Sequence, residues 1–223
     1  MYKRQLDDNI KFQGSSGGLF GVFARRIILD GGCVYGAAFD DNLKLKTTSA
    51  ETLDELVPLY KSKYLLCDTD DKFIEIQSRL DNGEKVLYCS SPCQIAALKL
   101  YLKRNYENLL TVEFVCHGVG SQSLFDKSIE YSAKKLSARI KRVIFRYKNK
   151  KASSHYYLYE CENNAGKFNK QDLYLSFPYY NAYCKQLVCR EGCYNCKYAT
   201  EERGADITIG DFHTIEKYDI SID

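Results

Sequence analysis

An alternation of short apolar runs and longer amphipathic segments in the middle of the chain constrains the fold more than any other feature of this sequence. The pattern predicts strand, helix, strand and helix, in that order, over residues 85–89, 93–104, 109–115 and 121–136. The turn Ser90-Ser91-Pro92 after the first strand suits a helix start. Because this order is typical of helices that cover a sheet, we expect an α/β core.

Segments on both sides of this region extend the predicted fold. A glycine-rich loop at 14–18 precedes a helix pattern, and Ser15 or Ser16 is the expected N-cap. Further expected elements are a strand hairpin at 33–39 and 43–48, helices at 50–57 and 70–81, strands at 139–148 and 155–162, a Cys-rich loop at 189–205 and a short strand at 206–210. The fold class is therefore α/β (α+β), a central mixed sheet flanked by helices, with a C-terminal antiparallel extension.

The domain organisation follows from length and pattern. A chain of 223 residues is compatible with one domain, and we expect a single domain over residues 1–223 with any internal boundary near residue 138. The residues before Gln13 lack the cysteine spacing of a bacterial ferredoxin, so no N-terminal ferredoxin domain is predicted.

Composition narrows the class of protein. The sequence has ten cysteines and no stretch that predicts an export signal or a membrane helix, so we expect a cytoplasmic protein whose thiols stay reduced. Cysteines in a reducing compartment indicate metal binding or redox chemistry. The 32 basic and 29 acidic residues give a net charge of +3, which excludes a strongly acidic, disordered chain and gives no support to nucleic-acid binding.

Four cysteines form a candidate metal centre. Cys193 and Cys196 form a C-x2-C pair, Cys93 lies at the predicted start of a helix, and Cys116 lies just past the next strand. Because consecutive strand ends lie side by side at the ligand-binding edge of an α/β sheet, Cys93 and Cys116 can converge there, and the loop with Cys193 and Cys196 can close over them to make four ligands. A purely local set is the alternative, and it would hold zinc or an iron–sulfur cluster: Cys184, Cys189, Cys193 and Cys196.

Short motifs stand in a specific order along residues 14–215. They are Ser15-Ser16-Gly17-Gly18, Gly32-Cys33-Val34-Tyr35-Gly36, Ser62-Lys63-Tyr64, Gly83 through Val86, Ser91-Pro92-Cys93-Gln94-Ile95-Ala96, Cys116-His117-Gly118-Val119, Phe145-Arg146-Tyr147-Lys148, Cys193-Tyr194-Asn195-Cys196 and Asp206 through Phe212. In order and spacing the chain resembles the coenzyme F420 hydrogenase/dehydrogenase beta-subunit family.

The resemblance implies an iron–sulfur flavoprotein. It implies a [4Fe–4S] cluster beside FAD, electron exchange with a ferredoxin, another redox protein or a small-molecule acceptor, and in some members the deazaflavin F420. The implied cluster ligands are Cys93, Cys116, Cys193 and Cys196. The residues implied to line the flavin or its phosphates are Ser15, Ser16, Gly17, Gly18, Ser62, Lys63 and Tyr64. A glycine-rich loop before a helix offers free amides to phosphate, and a lysine adds positive charge.

Two further features have more than one interpretation. His117, beside Cys116, is either a proton donor near a flavin, the one candidate catalytic residue, or a side chain that only hydrogen-bonds its loop. Residues 134–151 contain nine basic and no acidic residues. We favour a solvated face or the docking of an acidic redox partner over base stacking by Phe145 and Tyr147.

Two functions remain as hypotheses from the sequence. The first is an oxidoreductase that moves electrons between FAD, a [4Fe–4S] cluster and an external partner. The second is a non-redox, zinc-stabilised binding module built on the local cysteine set.

Overall fold

A computed structural model of the chain describes residues 7–149 and 152–211, without the side chains of residues 149 and 152–154. The helices are α1 (Asp8–Gln13), α2 (Leu19–Leu29), α3 (Lys72–Asp81), α4 (Pro92–Leu102), α5 (Gln122–Leu136), α6 (Pro178–Cys184) and α7 (Glu191–Tyr194). The strands are β1 (Cys33–Phe39), β2 (Leu45–Ala50), β3 (Val86–Ser90), β4 (Leu109–Phe114), β5 (Arg139–Asn149), β6 (Ala152–Asn163), β7 (Gly166–Leu173) and β8 (Ile207–Ile209). Short 3₁₀ turns cover Val57–Leu59 and Tyr174–Ser176.

The central sheet has the strand order β2-β1-β3-β4-β8. The pair β1–β2 is antiparallel, whereas β1–β3, β3–β4 and β4–β8 are parallel. Ala24 and Ile28 of α2 pack on one face, and α3 and α4 cover the other with buried side chains such as Ile76 and Leu98. This arrangement confirms the predicted mixed sheet between helices.

The second sheet is antiparallel, with the order β5-β6-β7. It begins at Arg139, close to the expected boundary near residue 138. Phe125 of α5 and Phe177, next to α6, pack against Phe145 of β5, and all three side chains are fully buried. The C-terminal antiparallel extension is therefore confirmed, and an aromatic cluster forms its core.

One local prediction is wrong, and two elements of the structure have no counterpart in the sequence prediction. Residues 50–57 do not form a helix, because Ala50 ends β2 and the Glu55 carboxylate accepts the backbone N–H groups of Glu51 and Thr52 in a tight turn. The sequence pattern does not predict strand β7, because its residues are mostly polar. In the structure they are half-buried or exposed. The helix α6 lies in an aromatic stretch that has no clear period.

Strand β8 returns the chain to the central sheet, and Asp206 fixes its position. The Asp206 carboxylate accepts hydrogen bonds from the backbone N–H and the hydroxyl of Thr111 in β4, at 2.7 and 2.6 Å. Val112 then pairs with Ile207 in parallel register. Because β8 follows the Cys-rich loop, this contact anchors the far end of that loop to the sheet.

The helices of the described part of the chain are all too short or too polar to cross a lipid bilayer.

Replacement of Asp206 tests this anchor. Burial raises the pKa of Asp206, but hydrogen bonds from Thr111 and the charge of Lys99 lower it more, so its pKa lies below the usual value. The stabilisation is therefore present at neutral pH and is lost as the pH falls through the acid range. We expect Asp206→Asn to lower the free energy of unfolding by about 1–2 kcal/mol at pH 7, and by less in acid, in urea titrations. The exposed control Asp54→Asn should leave it unchanged, and an equal loss in both variants would contradict the assignment.

Candidate functional site

The ends of β3 and β4 place two cysteines at one edge of the central sheet. These strands are parallel neighbours, with Ser90 opposite Glu113. Cys93 is the second residue of α4, which starts directly after β3, and its exposed thiol lies 3.3 Å from the Ser91 hydroxyl. Cys116 follows β4 by two residues. The predicted convergence of the two strand ends is therefore present.

The Cys-rich loop is hydrogen-bonded to the same edge. Gly120 and Cys189 form an antiparallel bridge, and the Arg190 N–H donates to the Val119 carbonyl at 2.9 Å. The short helix α7 then carries Cys193, and Cys196 follows it. Backbone pairing therefore brings the C-x2-C pair to the loop that carries Cys116.

Gly118 is required for this close approach. Its φ angle of +104° lies in the region that side chains rarely adopt. A Cβ at this position would lie 2.8 Å from the Cys189 sulfur and 3.2 Å from the Cys193 Cβ. The Gly118 N–H donates to the Cys116 sulfur at 3.4 Å. The glycine therefore lets two cysteine-bearing loops pack together and supplies an amide to one thiol.

The four thiols expected as cluster ligands share one electrostatic environment. The pKa of Cys116 is raised to about 11, mainly by burial; the Gly118 amide lowers it, and the thiols of Cys93, Cys193 and Cys196 contribute to the rise. Within residues 7–149 and 152–211, no group of three or more His, Cys, Asp or Glu side chains is arranged to hold a single metal ion. The donor set, four thiols from two strand ends and one loop, is the set that an iron–sulfur cubane uses.

The remaining cysteines lie in other environments. Cys184 is exposed at the end of α6, and it raises the pKa values of Tyr64 and Tyr180. Cys189 instead lies beside Cys193 and contacts the His117 carbonyl at 3.7 Å. The members of the alternative local set therefore differ in their neighbours, because Cys189 lies beside Cys193 whereas Cys184 acts on the pKa values of two tyrosines. Cys33 and Cys161 are buried in the two cores, whereas Cys67 is only partly buried.

His117 lies on the exposed side of the same loop. Its flanking residues, Cys116 and Gly118, are both more buried than His117 itself. An exposed imidazole beside the thiols is accessible to solvent and to a ligand, which is compatible with the transfer of a proton.

The glycine-rich loop lies at the N-terminus of α2, but its serines do not cap the helix. Gly18, with a φ angle of +85°, is the N-cap, so the prediction of Ser15 or Ser16 was wrong. The Ser15 hydroxyl instead accepts the Ser62 N–H at 2.6 Å, and Ser16 hydrogen-bonds to Asp211. These contacts hold the loop to the segment that contains Ser62-Lys63-Tyr64, so both predicted flavin-binding stretches are adjacent.

Three cations that are not among the predicted site residues contact this loop or its partner Asp211. Lys61 donates to the carbonyls of Phe12 and Gly14 at 2.8 and 3.2 Å. Lys148 donates to the carbonyls of Lys11 and Ser16. Arg146 forms an ion pair with Asp211 at 2.7 Å. We call Lys61, Arg146 and Lys148 the cationic cluster.

The charges of the cationic cluster repel one another. Burial, and after it the charges of Lys148 and Arg146, together lower the pKa of Lys61 to about 8. Burial and Arg146 also lower the pKa of Lys148. A group of half-buried, mutually repelling cations beside a glycine-rich loop has the electrostatics of an anion-binding site.

Backbone strain occurs at two members of this cluster. Lys61 has a φ angle of +72° and Arg146 one of +49°. Arg146 lies between Ile144 and Tyr147, where the register of β5 against β6 shifts at a bulge. Bulges re-aim side chains, and strained backbone is concentrated at functional sites. The fold therefore directs both cations to the loop at an energetic cost.

Lys63 lies elsewhere. Its ammonium donates to the carbonyls of Pro58 and Tyr60 at 2.8 and 2.7 Å, and burial lowers its pKa to about 7. The thiols of Cys67 and Cys89 oppose this fall in its pKa. Lys61, and not Lys63, is the lysine of this segment that contacts the glycine-rich loop.

The sequence signal for the cationic cluster is the motif Phe145 through Lys148, but the sequence analysis interprets the basic stretch around it as a surface.

Comparison with known proteins agrees with the expected family. Residues 83–222 match the family model that describes the C terminus of the coenzyme F420 hydrogenase/dehydrogenase beta subunit. A chain from the xenon-derivatised F420-reducing [NiFe] hydrogenase complex of Methanosarcina barkeri shares the fold, with a TM-score of 0.53 and 16% sequence identity. The match covers 86% of this chain and 63% of that chain. No curated protein matches.

The family model spans more than half of the chain and includes all four cysteines of the candidate metal centre, Cys93, Cys116, Cys193 and Cys196. On this match, the chain belongs to the coenzyme F420 hydrogenase/dehydrogenase beta-subunit family.

Proposed function

We propose that this chain is an electron-transferring oxidoreductase component that holds a [4Fe–4S] cluster on Cys93, Cys116, Cys193 and Cys196 and FAD beside the glycine-rich loop. The observation that carries the proposal is the close packing of the cysteine-bearing loops at Gly118, whose N–H donates to the Cys116 sulfur at 3.4 Å and whose added Cβ would lie 3.2 Å from the Cys193 Cβ. Cys93 starts the helix after the neighbouring strand, and the thiols of Cys93, Cys193 and Cys196 all act on the pKa of Cys116. Four soft sulfur donors from separate elements are the ligand set of an iron–sulfur cluster. Membership of a hydrogenase and dehydrogenase family supports a redox role.

The cationic cluster supports the flavin half of the proposal. FAD carries a diphosphate, and the loop at the start of α2 lies between Lys61 and Lys148. The residues proposed to line the cofactor are Ser15, Ser16, Gly17, Gly18, Ser62 and Tyr64, with the cationic cluster in place of Lys63. Helix N-termini and cations together stabilise phosphate.

The chain itself would bind, orient and shield the two cofactors. When bound, FAD exchanges electrons in pairs or singly and the cluster exchanges them one at a time, which lets the pair connect donors of different kinds. The exposed imidazole of His117 is proposed to carry the proton that accompanies flavin chemistry. The external partner is proposed to be a ferredoxin, another redox protein or a small-molecule acceptor, and F420 is the first acceptor to test.

Replacement of single cysteines tests the cluster ligands. We expect anaerobically purified protein to contain about four iron and four sulfide per chain with a broad brown absorbance. Cys93→Ala and Cys116→Ala should each remove most of the iron, because a cubane needs all four thiolates. Cys184→Ala is the matched control and should keep it, since Cys184 faces tyrosines.

The opposite result supports the zinc-stabilised module. A colourless protein with about one zinc per chain, lost in Cys184→Ala and kept in Cys93→Ala, would overturn the cluster assignment.

Gly118→Ala tests the packing of the two cysteine-bearing loops. The new Cβ would overlap the Cys189 sulfur, and its φ angle of +104° strains any side chain. We expect a folded protein by circular dichroism that has lost most of its iron. Gly192→Ala is the control, because a Cβ there meets no atom within 4 Å. Full iron content in Gly118→Ala would show that the loops do not need this close contact.

The pH dependence of FAD affinity tests the cationic cluster. The pKa of Lys61 is lowered to about 8, so its ammonium loses a proton as the pH rises through that value. The charge of a diphosphate diester does not change in this range. We therefore expect FAD affinity, measured by fluorescence quenching, to fall above about pH 8 by up to about tenfold per pH unit.

Two variants separate charge from structure in that measurement. Lys61→Arg keeps its charge and should move the fall in affinity to higher pH, whereas Lys61→Met should bind FAD weakly at every pH. An affinity of Lys61→Met equal to that of the native protein would remove Lys61 from the site.

A further inference from the structure

A stack of tyrosines lies between the two halves of the candidate site. Tyr183 of α6 stacks on Tyr64 with ring centroids 4.4 Å apart and an interplanar angle of 26°. Tyr64 also stacks on Tyr180 at 5.3 Å. The stack is therefore a continuous aromatic contact between α6 and the segment that runs through residues 60–68.

One end of the stack reaches the cysteine loop. The Tyr183 hydroxyl donates to the Gly118 carbonyl at 3.0 Å. The N–H of the same Gly118 donates to the Cys116 sulfur at 3.4 Å. A single phenol therefore fixes the residue whose amide faces a proposed cluster ligand. This bond is replaceable without loss of the ring, because phenylalanine keeps the aromatic surface.

The other end of the stack reaches the glycine-rich loop. Tyr64 lies two residues after Ser62, whose N–H is held by the Ser15 hydroxyl at 2.6 Å. Two bonds fix the Tyr64 carbonyl, from the Tyr179 hydroxyl at 2.7 Å and the Gly120 N–H at 3.4 Å. Tyr64 is therefore connected both to the loop that is proposed to hold FAD and to Gly120, in the loop that carries Cys116.

We propose that Tyr183 is a positioning residue that couples the two halves of the site, so that the metal centre and FAD each strengthen the binding of the other. The inference rests on the proposed function. Its hydroxyl sets the Cys116 loop, and its ring sets Tyr64. Because coupling of this kind is reciprocal, the factor by which the cluster tightens FAD equals the factor by which FAD tightens the cluster.

Binding measurements on Tyr183→Phe test the coupling. FAD affinity is measured by fluorescence quenching in protein stripped of metal with a chelator and in protein reconstituted with iron and sulfide. In the native protein we expect the reconstituted form to bind FAD at least about fivefold more tightly. In Tyr183→Phe this factor should fall to about one, with the affinity of the metal-free form unchanged.

A second readout follows the metal centre directly. The rate of iron release to a ferrous chelator should fall when FAD is added to the native protein, and FAD should not change it in Tyr183→Phe. The matched control is Tyr194→Phe, which loses a similar bond, from its hydroxyl to the Gln186 carbonyl at 2.6 Å, in the same Cys-rich loop. Tyr194→Phe should keep the native coupling.

The outcomes separate the inference from the proposed function. Unchanged coupling in Tyr183→Phe, or an equal loss of FAD affinity with and without metal, would overturn the positioning role. Independent binding of FAD and iron by the native protein would also overturn it while leaving the proposed function in place. A native protein that binds neither iron nor FAD would overturn the proposed function, and the coupling with it.

Discussion

Hydrogen bonds on both sides of Gly120 hold the candidate site together. Its N–H donates to the Tyr64 carbonyl, and its carbonyl accepts the Leu66 N–H at 3.0 Å. On its other side it pairs with Cys189. The loop after β4 is thus the middle strand of a small junction whose partners are distant in sequence. A Cβ at Gly120 would overlap the Tyr179 hydroxyl, so the junction closes only around glycine.

The local part of this arrangement was predictable, because it follows from periodicity and from the rule that parallel strand ends share an edge. The elements between β3 and α5 were placed to within a few residues, and Cys93 and Cys116 lie at one edge as expected. The approach of Cys193 to that edge depends on pairing between Gly120 and Cys189. No local pattern encodes such long-range pairing, so the sequence offered the converged and the purely local cysteine sets as alternatives.

The cationic cluster was missed for a different physical reason. A basic residue in a strand pattern is expected on a solvated face, and Arg146 leaves that face only because a bulge gives it a positive φ angle. Lys61 likewise depends on a positive φ angle in an irregular segment. The Ser15 hydroxyl was expected at the helix start, but the Ser62 N–H competes for it and takes it. Backbone conformations of this kind are selected by tertiary contacts and not by local propensity.

The charge distribution explains why uncharged tyrosines lie between the four cysteines and the cationic cluster. With a cluster bound, the four cysteines would form a negative centre, whereas the cationic cluster is positive, with Asp211 paired to Arg146. Burial raises the pKa of Tyr64 and of Tyr183, so both phenols remain uncharged donors at neutral pH. Uncharged rings with fixed hydrogen bonds can couple the positions of the two loops without adding charge to either side.

The charged form of Lys61, whose pKa is lowered, destabilises the protein until an anion binds beside it. That cost is the physical reason to expect a ligand there, since stability alone would favour a neutral side chain.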